Sequence, residues 1–102
     1  MKNYTDQAMV ISFNFGVSSW NEIKPYTLKI YELEDKLKTI IGDEYDGHGF
    51  YDDGLCLLYF YSKNIVETYQ KIKKLIYEIQ LKPITVTLFD ENNTTITIET
   101  VE

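Results

Sequence analysis

The chain contains no arginine: all ten of its basic residues are lysine, against sixteen Asp and Glu, for a net charge of -6. Arginine's planar fork is the preferred ligand for phosphate and for guanine edges, and a negative field repels a polyanion, which argues against nucleic acid as a partner. The same field attracts a basic protein and speeds its docking. Cysteine is nearly absent as well. Cys56 stands alone inside the apolar run LCLLYFY, which excludes an internal disulfide and fits a small buried hydrophobe in a reducing compartment rather than a nucleophile. No apolar run approaches the roughly 18 residues of a membrane span. The opening MKNYTDQ lacks the apolar core of a signal peptide, so a cytoplasmic protein without membrane association is expected. Phosphate-binding glycine loops, nucleophile elbows and His/Cys clusters of metal-ligand spacing are missing, and neither a cofactor nor a metal is expected.

What remains is the material of one globular domain. The 102 residues, 44% hydrophobic and 25% charged, show no internal repeat, low-complexity tract or linker, so residues 1–102 form a single domain. In AMVISFNF (8–15), Met9, Ile11, Phe13 and Phe15 alternate with Ala8, Val10, Ser12 and Asn14, the period of a half-buried strand. Pro25 then suits the first turn of a helix, and Tyr26, Ile30, Leu33, Leu37 and Ile40 form its apolar stripe, with Glu32, Glu34, Asp35, Lys36 and Lys38 toward solvent. Gly42 is placed to end it in a left-handed conformation. Asn64 with Glu67 resembles a capping box and opens a second helix through Ile65, Tyr69, Ile72, Ile76 and Ile79. After Pro83, ITVTLFD (84–90) and TTITIETV (94–101) alternate as two strands joined by a turn at Glu91-Asn92-Asn93.

Between the helices lies DEYDGHGFYDDG (43–54), with five carboxylates, the single histidine and three glycines in twelve residues. It precedes LCLLYFYS (55–62), which reads as a central strand. Asp53-Gly54 before such a run signals a hairpin turn, making 44–51 the preceding antiparallel strand, loosened by Gly47 and Gly49. The order is β-α-β-β-α-β plus one strand. With right-handed crossovers it closes as an α+β, ferredoxin-like two-layer sandwich, two helices on one face of an antiparallel sheet and the C-terminal strand extending its edge.

Chemistry in the twelve-residue stretch is limited by its spacing. A calcium loop needs oxygen ligands at regular intervals and a closing glutamate, whereas this stretch has aromatics in ligand positions and ends in glycine. Asp46 and His48, two apart on a strand, fall on one side and form the only candidate carboxylate–imidazole pair, with no Ser or Cys nucleophile in an elbow beside them. An exposed acidic hairpin is the remaining reading. The nine tyrosines supply a second feature. If Cys56, Leu58 and Phe60 face the helices, Leu57, Tyr59 and Tyr61 face the other side with Thr85, Thr87 and Phe89. Val10, Ser12 and Asn14 of the first strand add no aromatic, and no predicted strand carries a lysine, which argues against an RNA-binding platform. Tyrosine, with its polar tip, suits a protein interface or a second copy of the chain.

YELEDKL (31–37), GDEYDG (42–47) and LLYFYS (57–62) resemble segments of a group of small bacterial β-α-β-β-α-β proteins, over roughly residues 8 to 90. The resemblance implies the fold and assigns no activity and no catalytic residue. In character, a small acidic single-domain chain is similar to immunity proteins that neutralise basic bacterial toxins. The expectation is therefore a non-catalytic protein-binding module that presents Asp43, Glu44, Asp46, Asp52 and Asp53 to a basic partner, with Tyr45, Tyr51, Tyr59 and Tyr61 as apolar anchors. The alternatives are a small-molecule-binding or enzymatic domain using His48 and Asp46, or a homodimer.

Overall fold

The computed structural model describes residues 6–17, 19–51, 54–79, 81 and 84–101. Its elements follow the expected order: β1 (Gln7–Asn14), α1 (Trp20–Ile41), a single 3-10 turn (Gly42–Glu44), β2 (Tyr45–Tyr51), β3 (Leu55–Ser62), α2 (Ile65–Glu78), β4 (Ile84–Phe89) and β5 (Thr95–Val101). The strands form one antiparallel sheet in the order β2-β3-β1-β4-β5. Two helices on one face of that sheet make the ferredoxin-like α+β sandwich, with β5 added beside β4.

Period-two burial decides the faces. Three rungs cross the central strands: Phe60, Met9 and Leu88; Leu58, Ile11 and Val86; Cys56, Phe13 and Ile84. All nine are buried toward the helices, where Ile30, Leu33 and Leu37 of α1 and Ile65, Tyr69, Ile72 and Ile76 of α2 cover them. The intervening residues Leu57, Tyr59, Tyr61, Val10, Ser12, Thr85, Thr87 and Phe89 are only half-buried, as the alternation predicts.

Helix α1 departs from its expected course at both ends. It starts at Trp20, so Pro25 lies inside the helix rather than in its first turn. A reciprocal cap sets this start: the Glu22 amide donates to Ser19 Oγ at 3.3 Å, and the Ser19 hydroxyl donates to Glu22 Oε1 at 3.0 Å. Toward the other end the inward position is taken by Ile41, and Ile40 is exposed. A strict seven-residue repeat drifts by about 20° per heptad on a straight helix, enough to carry Ile40 off the contact line. Gly42 ends the helix with a positive φ of 57°, although its ψ of -126° is not that of the left-handed helix. Helix α2 is capped as expected, the Glu67 amide donating to Asn64 Oδ1 at 3.2 Å. Pro83 falls outside the described residues.

Gly54 ties the start of β3 to the segment after β1. Its φ is +76°, its carbonyl accepts from the Phe15 amide at 2.9 Å, and a Cβ there would lie 2.6 Å from the Val17 carbonyl oxygen. Both the backbone region and the contact with main chain oppose a side chain. Gly54→Ala is expected to cost about 2–3 kcal/mol in urea denaturation, combining a left-handed penalty with a clash that no rotamer relieves. A loss below about 0.5 kcal/mol, the size of an ordinary surface change, would show that the loop yields freely.

Candidate functional site

The polar cluster of the interior is built on Glu34. This residue is only 8% exposed, against the expectation that it faces solvent. It sits four residues after Ile30 and three before Leu37, and so lies on the inward stripe of α1. The Tyr45 hydroxyl donates to Glu34 Oε2, and His48 Nδ1 lies 2.8 Å from the same oxygen. A carboxylate only accepts, so Nδ1 carries the proton in this bond.

A bulge in β2 brings these two donors to one face. Tyr45 pairs with Phe60 and Gly47 with Tyr59, leaving Asp46 as the extra residue; His48 then pairs with Leu58 and Phe50 with Cys56. In a regular strand Tyr45 and His48, three apart, would face opposite ways. The bulge returns both to the helix side, and Gly47 accommodates it at φ +130°. The expected Asp46–His48 pair is thereby corrected. His48 bonds Glu34 of α1, and Asp46 is exposed in the bulge.

Aromatic packing holds the arrangement. The His48 ring is 5.0 Å from that of Phe50, edge to face, and 5.7 Å from that of Tyr31, while Tyr45 meets Phe60 at 5.2 Å. Burial first, then the hydrogen bond and charge of Glu34, push the Tyr45 hydroxyl far above the usual phenol range. Burial and then the Glu34 charge, without a hydrogen bond, push the Cys56 thiol up to about 12. Cys56 is therefore a thiol near neutrality, unsuited to nucleophilic attack. Glu34 and His48 together have the form of a carboxylate-oriented imidazole. The two grooves between α1 and α2, of about 350 and 320 Å³, are lined by residues such as Lys29, Glu32, Lys36, Ile40 and Leu75 and not by this cluster. Among the described residues no three His, Cys, Asp or Glu side chains converge to hold a metal ion.

The second candidate surface is the open sheet face. Tyr51 extends from the end of β2 and lays its ring over Gly49, where a Cβ would come within 2.9 Å of it. Its hydroxyl meets that of Tyr59 at 2.7 Å. This bond, ahead of partial burial, pushes the Tyr59 hydroxyl up to about 12. Tyr61 stands next along β3, opposite Ala8, with Phe89 on Ala8's other side.

The residues singled out from the sequence thus divide. Tyr51, Tyr59 and Tyr61 share the open face. Tyr45 is only 6% exposed and points to the helices, because the bulge resets its side, so it cannot serve as a surface anchor. Asp43 and Glu44 lie in the 3-10 turn before β2, where Glu44 accepts from the Thr68 hydroxyl at 3.0 Å. Tyr51 lies at the other end of β2, about 20 Å away by strand rise. The described acids of the stretch, Asp43, Glu44 and Asp46, are therefore gathered at the start of β2, away from Tyr51. Asp52 and Asp53 lie outside the described residues. Glu34 escaped the sequence reading, although its place between Ile30 and Leu37 was a signal for it. No family model, no curated protein and no solved structure matches the chain.

Proposed function

We propose that the chain is a non-catalytic protein-binding module that docks a basic protein through the open face of its sheet, as an immunity protein would a basic toxin. The distribution of lysine carries this reading. Lys24, Lys29, Lys36 and Lys38 are on α1, Lys71, Lys73 and Lys74 on α2, and Lys63 in the turn before α2. Among the described residues the open face has none, and apart from Lys63 the charged residues at the surface of the loops are acids: Asp43, Glu44, Asp90 and Glu91. A half-exposed face of Tyr51, Tyr59, Tyr61, Leu57, Val10 and Phe89 with an acidic surround offers aromatic anchors at the centre and attraction at the rim.

The test is capture at low salt from extract of the source cells, followed by affinity measurement with the basic protein recovered. A double variant, Tyr59→Ser with Tyr61→Ser, is expected to weaken binding by about tenfold or more, while raised salt slows association. Equal binding by the double variant would reject the face. An alternative, a small-molecule-binding or enzymatic domain, is favoured by one observation, the Glu34–His48 pair. Its mark would be a small ligand that shifts the His48 ring resonances.

A further inference from the structure

The strands β2-β3-β1-β4 and the two helices already complete a β-α-β-β-α-β sandwich, and β5 is laid against its outer edge. Beyond its ladder that strand is attached by little. Thr97, Glu99 and Val101 pair with Leu88, Val86 and Ile84 and so take the helix side of the sheet, yet only Val101 joins the core. Thr97 is exposed and Glu99 half-buried. On the other side Ile96 is 44% exposed and Ile98 62%. The ladder is itself interrupted by a bulge at Ile96, since Leu88 pairs with Thr97 and Phe89 with Thr95.

A polar clasp makes the remaining tie. Glu99 accepts from the Tyr69 hydroxyl of α2 at 3.1 Å and lies 3.9 Å from Lys73 Nζ. The turn before β5 is held more firmly. Asp90 Oδ1 accepts from the Asn92 and Thr94 amides at 2.9 Å each, and the Asp90 amide donates to the Thr94 carbonyl at 2.8 Å.

We propose that β5 is a releasable strap, which swings off β4 as one unit about the Asp90 turn while the four-stranded sandwich stays folded. Val101 and the Glu99 clasp set how often it opens. Ladder bonds given up at an exposed edge are remade with water, so their net loss is small, and the apolar surface uncovered centres on one valine. Release bares the outer edge of β4, whose sequence ITVTLF carries no charge, proline or glycine to blunt it against pairing. The closed strap keeps that edge covered.

Amide hydrogen exchange of the full chain, in the regime where rates report opening equilibria, tests this. The β5 amides and those β4 amides turned toward β5 are expected to share one opening constant, at least about a hundredfold larger than that of β1 and β3. Val101→Ala, which removes the buried methyls, and Tyr69→Phe, which removes the clasp donor, should each speed β5 exchange about threefold or more. Ile30→Val supplies the contrast, because Ile30 is buried in the part that stays folded. It should speed β1 and β3, which open only on global unfolding, by about threefold, and leave β5 unchanged. The proposal is overturned by a β5 as protected as β1, by a β5 that follows β1 in Ile30→Val, by opening constants that differ residue by residue along β5, or by indifference of β5 to Val101→Ala and Tyr69→Phe. The basic-partner reading concerns the open sheet face and does not depend on the outcome.

Discussion

Glu34→Ala is expected to lower stability by about 3–5 kcal/mol, a large part of the 5–15 kcal/mol typical of a domain. The loss has two sources. Truncation strands the Tyr45 hydroxyl in the interior and the His48 Nδ1 proton at its margin, each deprived of an acceptor, at about 1–3 kcal/mol for a fully buried group and less for His48. It also leaves space between α1 and β2 that the packed rings of Tyr45, Phe50 and Phe60 fill only in part. Glu34→Gln retains one acceptor oxygen and should cost about half as much or less. Glu34→Leu combined with Tyr45→Phe removes acceptor and buried donor together, and should be milder than Glu34→Ala alone despite altering two residues. Urea denaturation of the three variants measures this ordering. If Glu34→Ala fell within about 1 kcal/mol of wild type, Tyr45 and His48 would have to find water instead, and the cluster would not organise β2.

Alkaline solution is expected to unfold the protein over a window opening near pH 9. The Cys56 thiol rises from an ordinary 9.0 to about 12 in the folded chain, through burial and then the Glu34 charge. Between these values the unfolded chain has released the proton that the native state still holds. Native protein therefore binds more protons, and stability falls by up to about 1.4 kcal/mol per pH unit, being fully present below the window. From pH 10.0, where free tyrosine ionises, Tyr45 and Tyr69 add to the slope, both raised chiefly by burial and further by Glu34 and Glu99. Urea midpoints at about pH 8, 9.5 and 11 should fall progressively. Cys56→Ala should flatten the first interval and leave the second steep. A first interval equally steep without the thiol would assign the loss to other groups.

Much of the architecture was legible because it rests on short-range alternation. The apolar positions of 8–15, 55–62 and 84–90 alternate strictly, and one buried face leaves each strand a single way round. That reasoning placed Cys56, Leu58 and Phe60 inward and Tyr59 and Tyr61 outward, as found. The cap Asn64 and the stripe of α2 were equally local, since side-chain oxygen and amide lie three residues apart. At α1 the competing signal of Pro25 obscured the cap at Ser19, because proline is suited to a first turn, whereas here it is the sixth helical residue and its missing amide leaves the Asn21 carbonyl without that helical donor.

Sequence by itself determined the order of elements, the faces of the central strands and the absence of lysine from every strand, all consequences of side-chain period and composition. Only the tertiary structure decided the bulge at Asp46, because the extra residue of a strand is defined by its partner, here Phe60 and Tyr59 of β3. That one displacement sent Tyr45 inward, took His48 from Asp46 to Glu34 and made burial of a glutamate tolerable. A carboxylate on an apolar stripe is buried only where donors meet it, and those donors come from a strand more than ten residues away.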